Sequence, residues 1–204
     1  MSAELIEFDL QFASSDYLIA GMDEVGRGAL AGPVVVGCVS IDHDALQNPI
    51  STLLEVDDSK SIPKNRREEM YETLTSLDCL SSGLGQADNG EVDEMGINEA
   101  TNLAAARAYT DLDLTPQLVL LDRGIDPEIP STTKTVQGGD STSVHVAAAS
   151  IIAKVFRDRL MEQYALEFPT YHWASNVGYG TAQHREAIRD WGLSPLHRRS
   201  FSRS

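Results

Sequence analysis

Cysteine is scarce in this chain. Only Cys38 and Cys79 occur in 204 residues, with no CxxC pair and no Cys/His spacing. That excludes a disulfide-stapled scaffold and offers no zinc site, and it points to a reducing, cytoplasmic setting. No apolar run is long enough to cross a bilayer. The opening Met1-Ser-Ala-Glu-Leu-Ile-Glu7 lacks the basic start and apolar stretch of a signal peptide, so no membrane partner and no export are expected. Positive charge is short as well: 16 Lys and Arg stand against 31 Asp and Glu, a net charge of −15. Such a balance argues against a polyanionic partner. Its distribution argues the other way. Residues 1–150 carry 8 basic and 26 acidic side chains, whereas residues 151–204 carry 8 basic and 5 acidic. Asymmetry of this kind fits either a polyanion-binding face or a solvated acidic surface with an ordinary basic tail.

What remains is an ordinary globular composition, 42% hydrophobic and 23% charged, in a length that suits one large domain. Residues 18–24 and 33–41 read as strands rich in β-branched residues, and residues 79–86, 117–121 and 132–136 as further strands. Residues 63–77 read as a surface helix with Ser61 as a cap, and Glu91 to Tyr109 as one helix. The strongest helical signal runs from about Thr142 to Leu166. There Val144, Ala147, Ala148, Ile151, Ile152 and Val155 form a core face, and Ser143, Ser150, Lys154 and Arg157 fall on another. Thr181 to Trp191 reads as a last amphipathic helix, and Asp42 to Ser61 as a long loop. The expected architecture is an α/β sheet covered by helices.

The most informative stretch is Leu18-Ile-Ala-Gly-Met-Asp-Glu-Val-Gly-Arg-Gly28. Asp23 and Glu24 close an apolar run, where unpaired carboxylates are costly, and the glycines beside them let a backbone approach a ligand closely. Asp122 ends the 117–121 strand, and Asp140 follows Gly138 and Gly139. Four converging carboxylates would repel one another unless a cation meets them. An oxygen-only set favours Mg²⁺ or Mn²⁺. Taken singly, each acid has an ordinary role as a solvated turn, a loop starter or a helix cap. Together, with the basic C-terminal segment, they make a metal site competitive. One geometric condition applies. Neighbours in a regular strand point to opposite faces, so Asp23 and Glu24 share a site only if the strand ends or bulges there, or if Glu24 approaches from the side.

These residues resemble a known family. Asp23-Glu-Val-Gly-Arg-Gly28 with Leu30-Ala-Gly-Pro-Val34 is similar to the N-terminal signature of ribonuclease HII, the type 2 ribonuclease H. The resemblance continues in order through Asp58-Ser-Lys60, Gly139-Asp140, Ala147-Ala-Ala-Ser-Ile-Ile-Ala-Lys154 with Arg157-Asp158, Gly178-Tyr-Gly-Thr181 and His197-Arg-Arg-Ser-Phe201. It implies a ribonuclease H-like fold: a mixed five-stranded sheet flanked by helices, with a helical C-terminal portion. It also implies a single catalytic domain over residues 1–204, with about 1–17 as an N-terminal extension and about 165–204 as a substrate-binding segment. The implied activity is hydrolysis of the RNA strand of RNA–DNA hybrids, and incision 5′ of ribonucleotides embedded in duplex DNA, leaving 3′-hydroxyl and 5′-phosphate ends. By resemblance Asp23, Glu24, Asp122 and Asp140 hold Mn²⁺ or Mg²⁺. Gly26, Arg27 and Gly28 read the 2′-hydroxyl at the junction, and Tyr179 stacks on the sugar 3′ of the ribonucleotide. Lys60, Lys154 and Arg157 are candidates for phosphate contacts. His197, Arg198 and Arg199 either bind the backbone or anchor the C-terminus, and His145, His172 and His184 receive no role.

Departures from the resemblance remove positive charge. Gly138 stands where many relatives have a lysine, and Ser175-Asn-Val177 where many have basic residues. The 22 residues ahead of Asp23 leave no room for the N-terminal domain of ribonuclease HIII, no clamp-binding peptide is evident at the C-terminus, and a monomer is expected. Two other readings stay open on the residues themselves: a metal phosphatase acting on a small molecule, and a non-catalytic hybrid-binding module.

Overall fold

The structure, a computed structural model, describes residues 2–56 and 62–203. Five strands form one mixed sheet: β1 (Ile19–Val25), β2 (Val34–Ile41), β3 (Leu80–Ala87), β4 (Leu118–Leu121) and β5 (Thr132–Thr135). Their order is β3-β2-β1-β4-β5. The β1–β2 and β2–β3 pairs are antiparallel; β1–β4 and β4–β5 are parallel. The helices are α1 (Ser2–Asp9), α2 (His43–Gln47), α3 (Lys64–Thr75), α4 (Asn89–Met95), α5 (Ile97–Asp111), α6 (Val144–Glu167), α7 (Trp173–Asn176) and α8 (Ala182–Trp191). The expected mixed five-stranded sheet with flanking helices is what the chain forms.

The two long helices lie on opposite faces of the sheet, and small residues bring them close. On one face, a Cβ at Gly37 would lie 2.5 Å from the Ala149 carbonyl oxygen, and one at Gly21 would lie 2.7 Å from the His145 Cβ. Only glycine there lets α6 sit directly on β1 and β2. On the other face, Gly83 and Gly85 of β3 meet α5 through Ala104, Ala108 and Leu112. Helix α6 is buried on nearly every side, from Val144 through Asp158, so its side chains are positioned by the core.

Two local expectations change, and the N-terminal extension, left without a structure in the sequence reading, acquires one. The Glu91–Tyr109 stretch is two helices, because Gly96 adopts φ +83° between α4 and α5. An L-residue helix cannot pass through that conformation. The Asp42–Ser61 loop contains α2 and a 3-10 turn at Leu53–Glu55, and Ser61 lies outside the described residues. The N-terminal extension begins with a helix that joins the core. Leu5, Ile6 and Asp9 are buried, and Asp9 Oδ2 accepts from Ser143 Oγ (3.0 Å) and the His145 backbone N–H (3.1 Å), with His145 Nδ1 at 2.6 Å. Asp9 therefore supplies a carboxylate to the N-terminal end of α6, alongside the Ser143 side chain that caps it.

Candidate active site

The acids gather at the carboxyl end of β1, where the sheet switches from antiparallel to parallel pairing. Strand β1 pairs regularly with β2 through Val25↔Val35, with Asp23↔Gly37 and Glu24↔Val36 in register. On its other side, pairing with β4 stops at Met22↔Leu121, and the Asp122 N–H then donates to the Met22 carbonyl at 3.0 Å. No bulge is needed. Strand β1 overhangs the end of β4, so Asp23 on the α6 face and Glu24 on the α5 face both reach the open sheet edge. There one carboxylate oxygen from each of Asp23, Glu24 and Asp122 lies within 4.8 Å of the others. Ligands bind in α/β sheets at such a switch point, beyond the carboxyl ends of the strands.

Asp140 is buried in a 3-10 turn, Gly139–Ser141, just ahead of α6. It is not within 4.8 Å of all three other acids, yet its charge reaches Asp23. The turn is tied to the cluster, since the Gly139 N–H donates to Asp122 Oδ1 at 2.8 Å. Burial, then the charges of Asp122 and Asp140, push the Asp23 carboxyl up to about 7 against the pull of a Ser150 hydrogen bond. Burial, then Asp23, pushes Glu24 up to about 8. Glu24 Oε2 is buried without a hydrogen-bond partner. Carboxylates this close, this poorly solvated and partly unpartnered fit a hard divalent cation, whose bonds of about 2.1 Å span such a cluster.

Beside the acids, the loop from Gly26 to Pro33 is held from below. Arg157 is fully buried and donates to the carbonyls of Pro33 (2.9 Å), Val177 (2.9 Å) and Ala31 (3.2 Å). Arg198, also fully buried, donates to Gly32 (2.9 Å) and Arg27 (2.9 Å). The Arg27 side chain reaches across to the Gly124 carbonyl and Asn98 Oδ1, each at 2.7 Å, and passes 3.9 Å from Glu24. Tyr179 pairs with Ala29 in an isolated bridge, and the Leu30 N–H donates to the Gly178 carbonyl at 2.8 Å. The structure thus brings Gly26, Arg27, Gly28 and Tyr179 together, next to Asp23 and Glu24.

It does not bring the phosphate candidates there as free cations. Arg157 is a correction: its guanidinium is fully buried and each of its three nitrogens donates to a main-chain carbonyl. Lys154 is partly exposed and already paired. Its ammonium lies 2.7 Å from Asp158 Oδ1, and Asp158 also faces Arg67 at 3.7 Å. Helical spacing places both on a common face of α6, but cannot say that another segment covers that face. Lys60 lies outside the described residues. Missed from the sequence are the roles of Ser150 as a partner of Asp23 and of Asp9 at the end of α6. Ser150 follows Ser143 by two helical turns on the non-core face, which is the one signal available; Asp9 has none.

A family model described as ribonuclease HII matches residues 20–204. The chain belongs to the ribonuclease HII family. Ribonuclease HII of Clostridium beijerinckii is 43% identical over 197 residues, covering 97% of this chain and 72% of that protein. Ribonuclease HII of Rickettsia felis is 43% identical over 201 residues, covering 98% of both. In three dimensions the chain is similar to ribonuclease H2 from Pyrococcus horikoshii OT3, with a TM-score of 0.74 at 25% identity over 92% of this chain and all of that one. Membership of the ribonuclease HII family makes the protein a metal-dependent endoribonuclease that hydrolyses the RNA strand of RNA–DNA hybrids. The phosphatase and binding-module readings fall away. Among the described residues no helix is long and apolar enough to cross a membrane.

Proposed function

We propose that this ribonuclease also incises duplex DNA 5′ of embedded ribonucleotides, with Asp23, Glu24, Asp122 and Asp140 holding two Mg²⁺ or Mn²⁺ ions and leaving 3′-hydroxyl and 5′-phosphate ends. The observation that carries the reading is the three-acid cluster at the overhanging end of β1, with Glu24 Oε2 buried and unpartnered, directly ahead of a glycine loop. Bound ions supply water activation and stabilisation of the leaving oxygen. The chain's own residues do the rest. Asp23, kept in place by Ser150 and by the Glu24 N–H at 2.8 Å, Glu24 and Asp122 present oxygens from three directions, and Asp140 adds its charge from the α6 side. Gly28 has open space where a side chain would be, which lets a sugar hydroxyl come against the backbone of the Gly26–Gly28 loop. The exposed part of the half-buried Tyr179 is offered for stacking on the next sugar. Lys60 is retained as a phosphate contact. The whole acts as one domain, as a monomer, in the cytoplasm.

The test is a duplex with one embedded ribonucleotide, incubated with Mg²⁺ or Mn²⁺. Incision on the 5′ side of the ribonucleotide, with end-labelling showing a 3′-hydroxyl, is expected. No incision, or equal cutting of all-DNA duplex, rejects the proposal. Asp140→Asn should abolish cutting while its circular dichroism matches the parent; near-normal turnover removes Asp140 from the site.

A further inference from the structure

The main chain of Tyr179 is held by His184, which is backed in turn by His197, and the catalytic reading uses neither histidine. His184 in α8 places Nδ1 2.9 Å from the Tyr179 carbonyl oxygen and Nε2 3.1 Å from Nε2 of His197. The Trp173 indole N–H donates to the same His184 Nε2 at 3.1 Å. His197 Nδ1 accepts the Ser194 backbone N–H at 2.9 Å, with Ser194 Oγ at 2.8 Å. Both imidazoles are buried, 0% and 1% exposed.

These contacts assign every ring proton. The Tyr179 carbonyl only accepts, so His184 Nδ1 carries a proton. The indole N–H only donates, so His184 Nε2 is bare. A main-chain N–H only donates, so His197 Nδ1 is bare and its proton sits on Nε2, pointing at His184. The result is a one-way relay: Ser194 to His197, His197 to His184, His184 to Tyr179. A second proton on either ring would set donor against donor. The surroundings resist one. Burial pushes both rings' pKa down, helped at His184 by His172 and at His197, which falls to about 4, by His184. The rings of Tyr171 and Trp173 pack on the pair, and among the described residues no carboxylate pairs with either histidine.

We propose that His184 and His197 are positioning residues for choice of the cleavage site: their neutral relay holds the Tyr179 carbonyl, and with it the turn at residues 178–180, in one register against the loop after β1. This rests on the reading of Tyr179 given above. Two backbone bridges make the coupling direct, since Tyr179 pairs with Ala29 and His197 pairs with Ala31. The relay therefore joins the two segments that grip opposite ends of the same three-residue stretch.

Two measurements test it. Long-range ¹⁵N–¹H spectra of the unsubstituted protein near neutral pH should show two neutral rings, protonated at Nδ1 of His184 and Nε2 of His197; a charged ring or the opposite tautomer at either overturns the relay. The second measurement is junction selectivity, the incision rate at one embedded ribonucleotide relative to a uniform hybrid. Asparagine places a donor near Nδ1, whereas glutamine reaches only the Nε2 position. At a temperature where both variants are folded, His184→Gln should lose selectivity by about tenfold, and His184→Asn by about threefold, because asparagine keeps the donor to the Tyr179 carbonyl but not the acceptor for His197. Mn²⁺ affinity by calorimetry should be unchanged in both. Equal loss in the two variants, or loss that tracks Mn²⁺ affinity, overturns the proposal. Tyr179→Ala separates the two readings. If selectivity survives there, the tyrosine reading fails. If it is lost there and kept in His184→Gln, the relay alone fails.

Discussion

Gly26 and Arg157 share one volume. Gly26 has φ +92°, and a Cβ there would overlap Nε of Arg157 and sit 2.8 Å from its Cδ and Cζ. The buried guanidinium under this glycine carries the carbonyls of Ala31, Pro33 and Val177 and lies 5.5 Å from the Tyr179 ring centroid. The first glycine of the Gly-Arg-Gly motif is therefore required by the fold. The second is not: Gly28 has no positive φ, and a methyl group there would meet nothing within 4 Å.

The two glycines should separate in experiment. Gly26→Ala combines left-handed strain with overpacking and should cost about 2–5 kcal/mol. Gly28→Ala should leave stability within about 0.5 kcal/mol while weakening binding of hybrid, because its methyl would occupy the space offered to substrate. Urea titrations paired with anisotropy binding in Ca²⁺ check both. Comparable destabilisation by the two substitutions would refute the distinction.

Asp23→Asn should stabilise the metal-free protein. Asp23 and Glu24 are pushed up to about 7 and about 8 in the fold, by burial first and neighbouring carboxylates next, whereas unfolded they titrate near about 4. The folded chain then binds more protons than the unfolded one between about pH 4 and 8, so metal-free stability is full below that window and is lost as pH rises through it. In chelator near pH 8.5, Asp23→Asn should exceed the parent by roughly 2–4 kcal/mol, with the gap closing near pH 4. The parent should regain stability on adding Mn²⁺, and the variant should not. A variant less stable than the parent at alkaline pH contradicts this account.

Asp9→Ala should loosen the start of α6. It removes the acceptor of three contacts to Ser143 and His145 and leaves buried donors unmet, at a cost of about 2–4 kcal/mol. For a chain of this size that is a Tm decrease of roughly 5–15 °C. Since Asp140 sits one turn ahead of this point, Mn²⁺ affinity should also fall. Differential scanning calorimetry and metal titration read the two effects, and an unchanged Tm would show that α1 is an appendage.

How much of the fold and site is legible in the sequence follows from the range of each interaction. The strands, the long helix with its Ser143 cap, and the acids at strand ends are local patterns, readable from alternation, helical period and turn residues. The break at Gly96 is also local, but the stretches on either side are strong helix formers and mask it. Arg157 and Lys154 escape a sequence reading for a different reason. Periodicity puts them on one face of α6 but carries nothing about the loop carbonyls and the Asp158 carboxylate that meet them there.

By itself, the amino-acid sequence determined the family and the sheet-and-helix architecture and singled out four acids as candidates, because those depend on residue types in order along the chain. The tertiary structure decided how the Asp23 and Glu24 carboxylates come together. Strand β4 stops at Leu121 while β1 runs on to Val25, so an overhang between strands distant in sequence lets opposite faces meet at one edge. It also decided which cations are buried: Arg157 and Arg198 leave water only because several separated segments converge their carbonyls on them, and no stretch of sequence contains that convergence.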